Sequence, residues 1–372
     1  MTMTLNKTAI GVTLFLAACG RTGLDDRVDV QSIGGAAGTN ANTGGHGGSS
    51  VSWTLPGLGG RPASGPCAQA SGGPPLPALA PVITQVSVAP LSYVYALAFD
   101  PAGNLWFAPA DNNQIGRMTP SGVVTGFDIP TAAAGVTGIT LGPDGNMWFV
   151  EEAGNKVAFI DAAGAITEFP IPGERCEALD ITAGPDGNLW FTAGNCQFIG
   201  RMTSRGIVDR FVLPMPDSAP TRITIGPDGN LWFVEETSDR IGRITPAGEV
   251  SEFALTGSDL HPFAIVAGPD GNLWFTESQA NRIGRITTSG LVDEFCLGNV
   301  GPEGIVVGPD GNLWFSESAT VAIGRMTTQG VVIEYPIPGT RSTPSMIGVG
   351  PDNNLYVGEL GGNHIAKVTL GL

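Results

Sequence analysis

Basic residues are scarce in this chain: 18 lysines and arginines stand against 34 aspartates and glutamates, a formal net charge of −16. That balance opposes sequence-independent attraction to phosphate backbones or anionic lipid, and it excludes nucleic acid as a partner. The acidity is read as keeping a glycine-rich exported domain soluble. Histidine is nearly missing, with only His46, His261 and His364 in 372 residues. The apolar run Ala9 to Ala18 is too short to span a bilayer as a helix. An apolar stripe of 3.6-residue period is absent from the body of the chain, which excludes helical repeats. What abounds instead is punctuation, 55 glycines and 29 prolines, the mixture expected of many short strands joined by tight turns.

The N-terminus reads as an export signal. Met1 to Lys7 carries one positive charge, an apolar core follows, and Leu16-Ala17-Ala18-Cys19 closes it. The closing sequence resembles the lipobox of bacterial lipoproteins, in which cleavage before the cysteine leaves a lipidated thiol. Cys19 is therefore expected to be the anchor, and Gly20 after it favours an outer-membrane or periplasm-facing location. Residues 1–18 are assigned to the signal peptide and 19–81 to a tether, since that Gly-, Ser- and Pro-rich stretch cannot bury enough apolar surface to offset its ordering entropy. His46, alone among glycines, reads as a solvated linker residue.

The remaining residues, 82–372, carry an internal repeat. Gly-Pro-Asp-Gly-Asn-Leu/Met-Trp-Phe begins at Gly142, Gly184, Gly226, Gly268 and Gly308, with degenerate copies at Asp100 and Gly350; the seven copies are spaced 42 residues apart except for one step of 40. Each unit holds four β-like runs separated by turn signals, as in Phe263–Ala267, Asn272–Glu277, Arg282–Thr287 and Leu291–Phe295. Four strands in about 40 residues is the signature of a propeller blade. The fold expected is all-β, a seven-bladed β-propeller. Its last copy has only three strands before Leu372, so the spare strand Val82 to Val88 is expected to complete that blade and remove the open edges. The once-per-unit aromatics, Trp106, Trp148, Trp190, Trp232, Trp274, Trp314 and Tyr356, read as packing residues between blades. Glu235, Glu277, Glu317 and Glu359 each precede a basic residue by eight positions (Arg243, Arg285, Arg325, Lys367) and are expected to form strand-end ion pairs with them.

Four cysteines remain after Cys19. Cys176 lies in the connection leading into an inner strand and Cys196 in the loop after the second strand, two loops on the same propeller face, so a Cys176–Cys196 bridge is expected. Cys67 and Cys296 could also pair, which the sequence leaves open. Ligands of propellers enter where the loops leading into the inner strands converge, making the position five before each repeat's first residue informative: Tyr95, Thr137, Leu179, Thr221, Phe263, Glu303 and Ser345. Near them in sequence are His261, Asp259, Glu177, Arg222 and Tyr93.

The phrase Gly-Pro-Asp-Gly-Asn-Leu-Trp-Phe-x-Glu, followed by Asn-Arg-Ile-Gly-Arg-Ile-Thr and Glu-Phe-x-Leu/Ile-Pro, resembles the virginiamycin B lyase (streptogramin lyase) family over Val82–Leu372. The resemblance implies a propeller whose active members open type B streptogramins by Mg²⁺-dependent C–O elimination. It further implies two histidines on the last two blades, a glutamate two residues before the second, and a tyrosine on the first blade. Here Tyr95 retains the tyrosine, whereas Glu303 and Ser345 stand at the histidine positions and Thr343 at the glutamate position. His364 aligns with an arginine-type position, so no relocation restores the pair.

The function expected is a lipid-anchored propeller binding a small molecule or cell-envelope partner at the channel mouth through Tyr95, Phe263, Thr221 and Ser345, as a monomer that meets the membrane only through its anchor. The alternative is the Mg²⁺-dependent lyase, with His261 and Glu303 from adjacent blades as base and carboxylate partner. A metal-dependent lactonase would need several channel carboxylates around one cation, and the ring column supplies only Glu303.

Overall fold

The architecture starts in the Pro-Asp-Gly-Asn turn. In a computed structural model, which describes residues 80–110, 112–339 and 343–372, the turn aspartate points back at its own blade's aromatic. Asp228 Oδ1 accepts the indole N–H of Trp232 at 3.0 Å, and the same bond recurs at Asp144, Asp186, Asp270 and Asp310. The indole lies so close over the turn's first glycine that a Cβ on Gly226 would meet Trp232 Cδ1 at 2.3 Å, so these turns open with glycine; blade one, which opens with Asp100, has that residue itself accept the Trp106 indole at 2.8 Å. Each of these tryptophans is 0–2% exposed. On its outer side the ring stacks on an aromatic of the outer strand (Trp232 on Phe253, centroids 5.6 Å apart and 15° from parallel), with Arg243 Cζ at 5.5 Å from its centroid.

Strands follow from these anchors. Among the described residues all 28 elements are strands, arranged as seven four-stranded antiparallel sheets. In the fifth blade they run Pro262–Ala267, Leu273–Glu277, Arg282–Ile286 and Val292–Cys296, within a residue of the expected bounds. The second strands of blades one to six, such as Leu231–Glu235, are buried at every position because blades pack on both their faces. The ring closes as expected: Val82–Ser87 pairs antiparallel with His364–Thr369, the third strand of blade seven, from Val82 opposite Thr369 to Ser87 opposite His364. Cys19, His46 and Cys67, and with them the anchor and tether, lie outside the described residues.

One expectation is overturned. The glutamates that end the second strands do not pair with the basic residue eight positions later. Register sets Trp232, not Glu235, opposite Arg243, and that row of basic side chains turns to the aromatic stack and the turn aspartates: Arg325 Nε lies 2.7 Å from Asp310 and Lys367 Nζ 2.8 Å from Asp352. Glu151, Glu235, Glu277 and Glu317 are fully buried, each sharing its sheet face with a second carboxylate from the outer strand: Glu168, Glu252, Glu294 and Glu334. Burial, helped by that neighbouring charge, pushes the first four up to about 7, 7, 8 and 7. In blade seven an amide replaces the second acid, and Gln85 Nε2 donates to Glu359 at 2.7 Å.

These groups hold their protons more tightly folded than unfolded. Their stabilisation is complete below the unfolded glutamate range and is lost as pH rises through about 7 to 8. The turn aspartates act oppositely. Partial burial raises them, but hydrogen bonds from indole, asparagine and backbone N–H outweigh it, so Asp186, Asp228 and Asp270 sit below the usual range and their contribution is lost only in strong acid. The denaturant midpoint is therefore expected to fall between pH 5.5 and 8.5, on the order of 1 kcal/mol per buried glutamate. Glu277→Gln should flatten that slope; a midpoint indifferent to pH over this range would show the four acids to be ionised throughout.

Candidate functional site at the channel mouth

The mouth is organised by asparagine and aspartate side chains at hairpin turns. Asn113, Asn155, Asp239 and Asn281 precede the third strand of their blades with φ of 47°, 52°, 51° and 54°, a left-handed backbone that Asn and Asp tolerate better than other non-glycine residues. Each side-chain oxygen accepts amides of the loop leading into the next blade: Ala134 (2.8 Å), Cys176 (2.9 Å), Leu260 and His261 (3.0 and 3.1 Å), and Val300 and Gly301 (3.0 and 2.8 Å). Blade three has Gln197 at this turn, and there the expected disulfide ties the two loops together, Cys176 to Cys196 with Cα atoms 4.9 Å apart. Cys296 is also disulfide-bonded.

Inner strands then carry the ring residues to the channel. Each contains a register shift, between Pro220 and Ile223 in blade four and between Ala178 and Ile181 in blade three. Such bulges re-aim side chains and give the position after the ring column a place at the channel as well. Read around the ring, that second column is Ala96, Gly138, Asp180, Arg222, Ala264, Gly304 and Met346. The small residues permit close blade contact; a Cβ on Gly138 would meet Asp180 Cα at 2.8 Å.

Arg222 dominates the interior. Only 5% exposed, it reaches from blade four to donate through Nη1 to the carbonyls of Leu179 (3.2 Å) and Thr137 (3.4 Å), with Asp180 Oδ1 4.0 Å away. Its Cζ lies 5.2 Å from the Tyr95 ring centroid and 5.5 Å from that of Phe263. One cation thus gathers residues of blades one, two, three and five. Burial pushes the Tyr95 hydroxyl and the Asp180 carboxyl up, with Arg222 opposing in both cases. Glu303, 4% exposed, is pushed up to about 7 by burial, against the pull of Ser318 and Arg222. Its proton is therefore exchangeable near neutrality.

The other expected site residues divide between channel and frame. Thr221 is buried, its hydroxyl without a hydrogen-bond partner and its carbonyl accepting from Thr192 at 2.8 Å. Ser345 donates to the Val94 carbonyl at 2.9 Å and accepts at its own carbonyl from Ser316, so it joins blade seven to blades one and six. His261 stands at the rim with φ of 51°; its Nδ1 lies 3.6 Å from Glu236. Its near acidic neighbour is thus Glu236, while Glu303 answers to Ser318 and Arg222. Arg222 counts among the expected loop neighbours of the ring column, and Asp180 does not. Their signal was there as the charged break in an otherwise uncharged column, and the turn asparagines were visible in their 42-residue recurrence.

Comparison with known proteins agrees with this frame. The model of the virginiamycin B lyase family matches residues 81–300 and 257–371 in two overlapping segments. A virginiamycin B lyase from Bordetella bronchiseptica is 43% identical over 53 residues, a stretch covering 14% of this chain and 18% of that protein. A streptogramin B lyase structure superposes with a TM-score of 0.74 at 33% identity, covering 78% of this chain and 98% of the other. A catalytically inactive histidine-to-alanine virginiamycin B lyase from Staphylococcus aureus, solved with Quinupristin, gives 0.74 at 34% identity over 78% and 99%.

The turn capping makes a local prediction. Asp239→Ala removes the acceptor of two loop amides and should cost about 1–3 kcal/mol. Hydrogen exchange should quicken at Leu260 and His261 while the Trp232 stack stays protected; uniform exchange across blade four would show that Asp239 does not hold the loop.

Proposed function

This chain belongs to the virginiamycin B lyase family, and we propose that within it the protein binds a ligand at the channel mouth without carrying out the family's elimination. The observation that carries this reading is the state of the two positions where the family resemblance implies histidines. Ser345 is 2% exposed with its hydroxyl committed to the Val94 carbonyl, and Glu303 is a buried carboxyl beside a permanent cation. Neither supplies an imidazole, and the histidine nearest in sequence, His261, stands at the rim with Nδ1 3.6 Å from Glu236. The mouth nonetheless keeps the rings of Tyr95 and Phe263 close to Arg222, aromatic surface suited to holding a flat or apolar group. The inactive Staphylococcus aureus variant supports the separation of binding from turnover, since it lacks one histidine and was solved with Quinupristin.

The Mg²⁺ that the family implies finds no cage of protein ligands: among the described residues no three His, Cys, Asp or Glu side chains converge to hold a metal. Of the channel carboxylates, Asp180 accepts the Ile223 amide at 3.0 Å. The second reading, a lyase, is favoured by one feature only, the exchangeable proton of Glu303.

Incubating the full chain with a type B streptogramin and Mg²⁺ and following the ring by mass spectrometry separates the two. Intact antibiotic with saturable binding is expected, and Tyr95→Ala or Phe263→Ala should weaken that binding at least about tenfold. A linear olefinic product of unchanged mass, lost in Glu303→Gln, would establish the lyase instead.

We also propose that the protein is exported and lipid-anchored through Cys19. Metabolic labelling with palmitate should mark the wild-type chain and not Cys19→Ser; equal labelling of both would remove the anchor from that position.

A further inference from the structure

Arg222 presents five N–H donors, and the protein uses one side of the guanidinium. Nη1 serves the Thr137 and Leu179 carbonyls, whereas Nε and Nη2, both buried, meet no acceptor in full hydrogen-bonding geometry; the Tyr95 hydroxyl, which interacts with the guanidinium, is a single neutral oxygen and cannot satisfy both. In a guanidinium Nε–H and Nη2–H lie parallel on one edge, the edge that matches the two oxygens of a carboxylate. Leaving charged donors buried and unpaired costs more than most hydrogen bonds contribute, so such an edge calls for an acceptor. Bulk water is held off by the rings of Tyr95 and Phe263, which lie against the same group. Asp180, the nearest acid, is 4.0 Å from Nη1 and spends its other oxygen on the Ile223 amide. Arg222 is the single basic residue in the two channel-facing columns, Tyr95 to Ser345 and Ala96 to Met346.

We propose that Arg222 is a carboxylate-recognition residue: the channel takes ligands that carry a carboxylate beside an aromatic or apolar group, the carboxylate seated bidentate on Nε and Nη2 and the apolar part between Tyr95 and Phe263. This deepens the channel-mouth reading and rests on it. Of the two rings, Tyr95 is half-buried and Phe263 buried. Arg222 acts here as a specificity-determining residue, selecting an acid over its neutral isostere because only the acid supplies two parallel acceptors with charge.

The experiment compares N-acetyl-phenylalanine with N-acetyl-phenylalaninamide, titrated into the full wild-type chain by calorimetry. The acid is expected to bind at least about tenfold more tightly than the amide. Arg222→Lys, which keeps the charge and loses the fork, should reduce that preference to about twofold or less, with circular dichroism confirming the fold. Equal affinity for acid and amide overturns the proposal and leaves the channel-mouth reading standing if Phe263→Ala weakens both. Absence of acid binding up to about 10 mM overturns it as well, and assigns the free edge to water or to the Tyr95 hydroxyl. The channel-mouth reading then answers only to the antibiotic titration, so the two can fail separately.

Discussion

Closure of the ring is the constraint on which everything else depends. Each blade is a small sheet that can bury its faces only against its neighbours, so a row of blades is stable only when the first meets the last. The meeting is made by one six-residue strand, Val82–Ser87, laid along His364–Thr369. Because it closes, hydroxyls on one blade reach carbonyls on the next right across the seam, as Ser345 reaches Val94 between blades seven and one. Because it closes, too, inner strands from Val94 to Val349 surround one channel.

The repeat maintains blade thickness, and its departures make the chemistry. Turn aspartate, indole, outer aromatic and basic side chain recur as one packed station that fixes how far apart blades sit. The second-strand glutamate is part of the same frame, and its substitutions come in pairs: where blade one has Pro109 the outer-strand acid becomes Gly126, and where blade three has Ala193 it becomes Arg210, set over Phe198 near the disulfide. In blade seven the glutamate stays and only its partner changes, to Gln85, so the outer-strand acid can be lost alone, whereas the second-strand glutamate is lost only together with it. At the channel no such station applies, and there the units diverge freely into Tyr95, Thr221, Phe263, Glu303 and Ser345.

Burial gives the channel its electrostatic character. In water Glu303, Asp180 and Arg222 would be three independent ions. Inside the ring burial pushes both carboxyls up, with Arg222 opposing, while burial's pull on the guanidinium is outweighed by Tyr95 and Asp180, so an arginine stands at the centre of an acidic protein's interior. That inversion is invisible to a count of charges, which reads only the net −16.

Local chemistry repeated in series is what the sequence by itself determined: blade number, the four strands of each, the closing strand and the Cys176–Cys196 bridge follow from turn signals, alternation and spacing, all of which act over a few residues. Partners that lie far apart along the chain were decided only by the tertiary structure. Eight residues of separation suggested that Glu235 meets Arg243; register placed them on different rows, and burial turned the glutamate into an acid that keeps its proton to about 7. Adjacency of blades suggested His261 and Glu303 as a pair; the neighbour that the fold sets 3.6 Å from His261 Nδ1, Glu236, lies on the preceding blade and is marked by no repeat. Arg222 is the fullest case. A bulge in one inner strand aims it into the channel, where its neighbours come from residues 95, 137, 179 and 263, and no pattern within blade four encodes which of those atoms it will touch.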